Sequence, residues 1–175
     1  NEALGEARLE SESIPETITI NGKERPTRNS KGQYIHPTLE GIKNFYKWFG
    51  ESKVVDEQGR PMVVYHGTNN DFSEFDRSKG KQRINQHRTR LLGEFFSTSP
   101  DIANVFAEGY FAKYEGVQEG ANVLPVYLSI QNPEQIGSRD LLFGKDFENE
   151  KTTVNYRKEL IKQNRDGVII TPESD

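Results

Sequence analysis

The tripeptide His66-Gly67-Thr68 ends the apolar run Met62-Val63-Val64-Tyr65. This reads as a strand that delivers a histidine and a flexible glycine to its exposed end. An imidazole nitrogen there can donate a hydrogen bond to a sugar hydroxyl. Gly67 has no side chain to keep a ligand away from its own N–H and C=O. A planar carboxamide carries one donor and one acceptor that match such a main-chain pair. Thr68 adds a hydroxyl. The same tripeptide also fits a structural histidine beside a turn glycine, so the reading depends on a second segment.

That segment is Gly93-Glu94-Phe95-Phe96-Ser97-Thr98-Ser99-Pro100. Glu94–Ser97 reads as a short strand, in which Phe95 and Phe96 point to opposite faces. One ring belongs in the core and the other forms a stacking surface. Ser97 and Thr98 cap the next helix or contact a ligand. Ser99-Pro100-Asp101 is a helix start: a hydroxyl cap, a proline at the first position and an acid in the first turn. Phe106 shares that helix's apolar stripe with Ile102 and Ala103, which makes it a core residue or a lid over the strand. Together the two segments read as halves of a cleft for a flat polar ring and a ribose.

The rest of the chain must position these pieces. Thr17-Ile18-Thr19-Ile20 leads into the hairpin turn signal Asn21-Gly22. Lys23–Gln33 is polar and basic and reads as loop. Leu39, Ile42, Phe45 and Phe49 recur at helical spacing, with Thr38 as cap and Gly50 past the end. Val54-Val55 and Met62–His66 flank a turn and read as a hairpin. Asn69–Gly80 reads as a loop and Lys79–Arg90 as a basic surface loop. Asn122–Gln131 is the clearest strand, with Pro125 marking an edge or a bulge. Val154–Gln163 reads as a helix and Gly167–Ile170 as a late strand. Strands and helices mix without a βαβ rhythm, so the expected class is α+β.

Composition narrows the chemistry. The chain has 175 residues, which fits one domain with an appendage. Its net charge is −4 with both signs interspersed, so no broad field favours nucleic acid or an anionic membrane. There is no cysteine, hence no disulfide, thiolate nucleophile or cysteine-bound metal. Three dispersed histidines (His36, His66, His87) do not suggest a zinc site. No apolar stretch approaches the roughly 20 residues of a membrane helix. Neither a Gly-x-Gly-x-x-Gly after a strand, nor a P-loop, nor a Gly-x-Ser-x-Gly elbow occurs.

In order and spacing these residues resemble the ADP-ribosyltransferase superfold, in its His-Tyr-Glu branch, closest to the domains of phage and mobile-element polyvalent proteins. The resemblance rests on Phe45-Tyr46-Lys47-Trp48-Phe49-Gly50-Glu51-Ser52-Lys53-Val54-Val55-Asp56, Val64-Tyr65-His66-Gly67-Thr68, Gly93-Glu94-Phe95-Phe96-Ser97-Thr98 and Asp166-Gly167-Val168-Ile169. It implies two small, mostly antiparallel sheets that form a cleft with flanking helices. It implies NAD+ as substrate, no metal, and transfer of ADP-ribose to a protein or nucleic-acid acceptor with release of nicotinamide. His66 then holds a ribose hydroxyl, and Gly67 clamps the carboxamide. Phe95 stands where the branch has its tyrosine, and Phe106 is the second ring of the nicotinamide sandwich. Thr68 and Ser97 complete the binding set. Glu173 is the last glutamate able to supply the branch's acid, and the acid-bearing strand is expected beyond Asp175. The expected division is a peripheral segment over 1–34 and the transferase-like domain over 35–175. The expected setting is a bacterial host's cytoplasm, with no membrane partner. Two other readings stand beside this one: a catalytically weak module for NAD+ or ADP-ribose, and a structural domain of a larger phage protein.

Overall fold

The computed structural model describes residues 14–68, 91–108 and 122–171. The expected loops over Asn69–Gly80 and Lys79–Arg90, and Glu173, lie outside the described residues. In chain order the elements are β1 (Thr17–Ile20), β2 (Lys23–Pro26), α1 (Leu39–Phe49), β3 (Val64–Thr68), α2 (Pro100–Glu108), β4 (Asn122–Val126), β5 (Pro133–Gly137), α3 (Ser138–Phe143), α4 (Glu150–Lys162) and β6 (Gly167–Thr171). A single 3-10 turn, Lys145–Phe147, joins α3 to α4. The described strands form three two-stranded sheets rather than two larger ones. β1 pairs with β2 and β3 with β4, both antiparallel, while β5 and β6 run parallel. The class is α+β. Among the described residues no helix is long and apolar enough to cross a membrane.

Local chemistry explains most boundaries. Asn21 and Gly22 both take positive φ, 51° and 76°, as a tight two-residue hairpin turn requires. Lys23–Pro26, expected as loop, therefore pairs back on β1 despite its polar side chains. Main-chain ladder bonds do not depend on side-chain polarity. α1 begins at Thr38, whose hydroxyl accepts from Gly41 N–H at 3.1 Å. It ends at Gly50, with φ of +57°. α4 starts earlier than expected because Asn149 and Thr152 form a reciprocal capping box.

α1 turns Ile42, Tyr46 and Phe49 into a buried cluster. Ile14, Ile18, Ile20 and Ile35 pack against it, so residues 14–34, expected to be peripheral, lie on this core as far as they are described. The Tyr46 hydroxyl donates to Pro26 C=O at 2.6 Å. Burial pushes its pKa well above the ordinary phenol range, against the pull of Arg25, so it remains a donor.

Buried polar side chains tie this core to the strands that carry the site. Asn29 accepts from the N–H groups of Lys31 and Gln33 and donates to the Tyr127 hydroxyl at 2.9 Å. The Ser52 hydroxyl donates to Leu128 C=O at 2.7 Å and accepts from Ile130 N–H at 3.1 Å. The long strand expected over Asn122–Gln131 stops pairing with β3 at Val126, and from Leu128 onward its main chain is held by Ser52 and Lys53 instead. The Gln131 amide closes the C-terminus of α1, accepting from Glu51 N–H and donating to Phe49 C=O. Asp166 accepts from the N–H groups of Gln131 and Asn132, which places the start of β6. β5 and α3 were not foreseen. Pro133–Gly137 lacks a strand-like apolar pattern, and its pairing partner lies over thirty residues away on β6.

Candidate functional site

β3 is the centre of the site. On one edge it pairs with β4, Tyr65 opposite Pro125 and Gly67 opposite Val123. On the other edge Tyr65 exchanges both main-chain hydrogen bonds with Ser97, at 2.8 and 2.9 Å. Tyr65 thus turns its N–H and C=O away from β4, and Pro125, lacking an N–H, sits at a pair that needs none. Strand alternation directs the N–H and C=O of Gly67 to that same outer edge. Among the described residues neither has a partner there: the Tyr65–Ser97 bridge is isolated and does not extend to Gly67.

α2 lies directly on β3. A side chain at Gly67 would place its Cβ 2.9 Å from Ala107 N and far inside contact distance of the Ala103 carbonyl oxygen. Ala103 and Ala107 are 2% and 1% exposed. The small residues at 67, 103 and 107 therefore let helix backbone meet strand backbone. This was missed in the sequence, although alanines four apart on a helix that follows a strand glycine are a readable signal. The expected reason for Gly67 was ligand approach. The structure adds that its missing side chain makes room for the helix, while its polar groups face the open edge.

The His66 ring is held from the second segment. Its Nδ1 lies 2.8 Å from Phe95 C=O. A carbonyl only accepts, so Nδ1 carries the proton, and in a neutral ring Nε2 is then the acceptor. The expected donation to a sugar hydroxyl becomes acceptance from one. The Phe96 ring, not that of Phe95, stands beside the imidazole, with centroids 5.3 Å apart and planes at 48°. Both phenylalanines are half-buried, so neither is the fully buried core residue expected of one of them.

Other expected site residues take mixed places. Thr68 is buried at 7% exposure, on the same strand face as His66. Ser97 accepts from Ser99 N–H at 3.1 Å, so its hydroxyl serves the turn into α2, while its main chain holds Tyr65. Ser99 caps α2 by accepting from Ile102 N–H at 3.4 Å. Phe106 is 52% exposed and is not core. It lies one position before Ala107, whose main chain faces Gly67. The structure thus brings His66, Gly67, the Phe95 carbonyl and α2 together.

Residues 56–173 match the family model of the ADP-ribosyltransferase in polyvalent proteins. The chain belongs to that family. No curated protein and no solved structure matches it. ADP-ribosyltransferases use NAD+ as substrate and pass ADP-ribose to an acceptor. The matched segment opens at Asp56, the turn residue before β3, and takes in all of the open edge. At Asp56 desolvation acts to raise the carboxyl pKa, but the N–H and guanidinium of Arg60 outweigh it and hold the group below the usual range. The match leaves out α1 and the β1–β2 hairpin, and with them Asn29 and Ser52, whose side chains hold Tyr127 and Leu128 just after β4.

Proposed function

We propose that this chain is an NAD+-dependent ADP-ribosyltransferase of the His-Tyr-Glu branch, acting on a protein or nucleic-acid acceptor. The observation that carries the reading is the outward N–H and C=O of Gly67 next to a histidine of fixed tautomer. The carboxamide of NAD+ would bond to Gly67, and a ribose hydroxyl would donate to His66 Nε2. Phe106 and Phe95 would flank the nicotinamide ring. Thr68 and Ser97 line the same segments. In the reaction the bond from ribose C1′ to the ring nitrogen breaks. Its electron pair goes to the nicotinamide and removes the pyridinium charge. C1′ becomes oxocarbenium-like, the acceptor's nucleophile bonds to it, and the acceptor loses a proton. A carboxylate near C1′ lowers this barrier, and Glu173 is the last glutamate of this chain able to supply it. The setting inferred is a bacterial cytoplasm reached from a phage or mobile element.

A second reading has one observation in its favour: Phe95 lacks the phenol that the branch carries there. The chain would then bind NAD+ or ADP-ribose with little turnover. Incubation with adenylate-labelled NAD+ and bacterial lysate tests the first reading. Label on a macromolecule with stoichiometric nicotinamide release is expected, and both should fall in His66→Ala. Calorimetric binding without label would favour the second reading. Absence of both label and binding overturns both.

A further inference from the structure

Tyr65 and Ser97 form a fully bonded antiparallel pair. In a regular ladder the next such pair lies two residues along each strand, which is Gly67 opposite Phe95. Gly67 N–H would then donate to Phe95 C=O, and Gly67 C=O would accept from Phe95. That pair does not form, because the Tyr65–Ser97 bridge stands alone. The carbonyl that would have bonded Gly67 is instead bonded to His66 Nδ1 at 2.8 Å. The Phe96 ring stands beside the same imidazole, with centroids 5.3 Å apart.

We propose that His66 is a positioning residue that stops the ladder at Tyr65 and so keeps the main-chain pair of Gly67 available to a carboxamide. This role is separate from any contact between His66 and ribose. It rests on the proposed function for what the open pair binds, but not for how the pair stays open. The side chain competes with the backbone for one carbonyl, as local side-chain donors do elsewhere at strand and helix ends. Removing the imidazole frees Phe95 C=O, and in a continued antiparallel ladder its donor would be Gly67 N–H.

The test compares the chain with His66→Ala, His66→Asn and His66→Gln. Two quantities are measured: hydrogen exchange of the Gly67 amide without ligand, and affinity for nicotinamide alone, which has no ribose. In the native chain Gly67 should exchange as an open amide, since it has no partner among the described residues. In His66→Ala a new hydrogen bond should slow that exchange by about tenfold. Nicotinamide affinity should fall by a similar factor. Asparagine puts an N–H where Nδ1 stood, so His66→Asn should restore both values. Glutamine carries its N–H further out and should not. If His66→Ala fails to fold, the Asn and Gln variants carry the comparison. Unchanged Gly67 exchange in His66→Ala, or equal protection in the Asn and Gln variants, overturns the proposal. If the native chain binds neither nicotinamide nor NAD+, the carboxamide reading fails, while the exchange series still decides the positioning role.

Discussion

Around α1, polar side chains reach into the backbone of distant segments; around β3, backbone lies against backbone. In the first region Asn29, Ser52, Gln131 and Asp166 each satisfy two or more groups across gaps of up to 98 residues. The aromatic cluster of Phe45, Tyr46 and Phe49 fills the space between. In the second region packing comes from the absence of side chains at Gly67 and from two alanines. One main-chain pair is left facing outward. Groups that bond one another fix geometry but offer nothing to a ligand. An unfinished ladder offers hydrogen bonds and leaves specificity to whatever completes it.

Removing the core of the first region should have the largest effect. Phe49 is 1% exposed, and Phe49→Ala should cost about 3–5 kcal/mol in denaturant unfolding. A loss well under that would mean that α1 is not the anchor of the fold. The matching lesion in the second region is Gly67→Ala. The new methyl meets the backbone of α2, which cannot rotate away, so a cost of about 3 kcal/mol and loss of NAD+ binding are expected. Retained affinity in a stable Gly67→Ala chain would show that α2 can slide without harm. Ser52→Ala sharpens the comparison, because it leaves a buried main-chain group of Val54 and half-buried ones of Leu128 and Ile130 without their partner. About 2 kcal/mol of stability should go, with NAD+ affinity of the folded fraction unchanged.

Asp56 stands between the two regions, and its effect is smaller. Its folded-state pKa is depressed, so its stabilisation is complete above the unfolded-state value. It is lost as pH falls through the lower folded-state value. Asp56→Asn should therefore lower the melting temperature near neutrality, by the equivalent of about 1 kcal/mol or less. The native and variant curves should converge in acid, and parallel curves would exclude the charge as the cause. The smallest stability effect belongs to Phe106→Ala, expected within about 0.5 kcal/mol because the ring is half exposed. If the ring stacks on nicotinamide, calorimetry should instead show a loss of about 1 kcal/mol in NAD+ affinity.

Much of this was legible in the sequence. The hairpin turn at Asn21-Gly22, the caps of α1 and the start of α2 follow from local rules, because each depends on residues within one turn of chain. The placement of His66 and Gly67 on a strand followed from the apolar run before them, and the motif order carried the family. Side-chain pattern could not show that Lys23–Pro26 or Pro133–Gly137 are strands, since their pairing is made by the main chain. Nor could it show that Thr68 is buried, that Phe106 is exposed, or that Phe96 rather than Phe95 flanks the histidine. Those facts depend on which element arrives on which face.

The sequence by itself determined the parts: a histidine and a glycine together near a strand end, aromatics thirty residues on, and an α+β mixture of short elements. The tertiary structure decided what those parts do. The approach of α2 makes Gly67 a packing residue, and the Phe95 carbonyl draws the proton to His66 Nδ1 where the ladder stops at Tyr65. The physical reason is range. Caps and turns are settled by neighbours in the chain, whereas a carbonyl's choice between an imidazole and an amide is settled by three segments meeting in space.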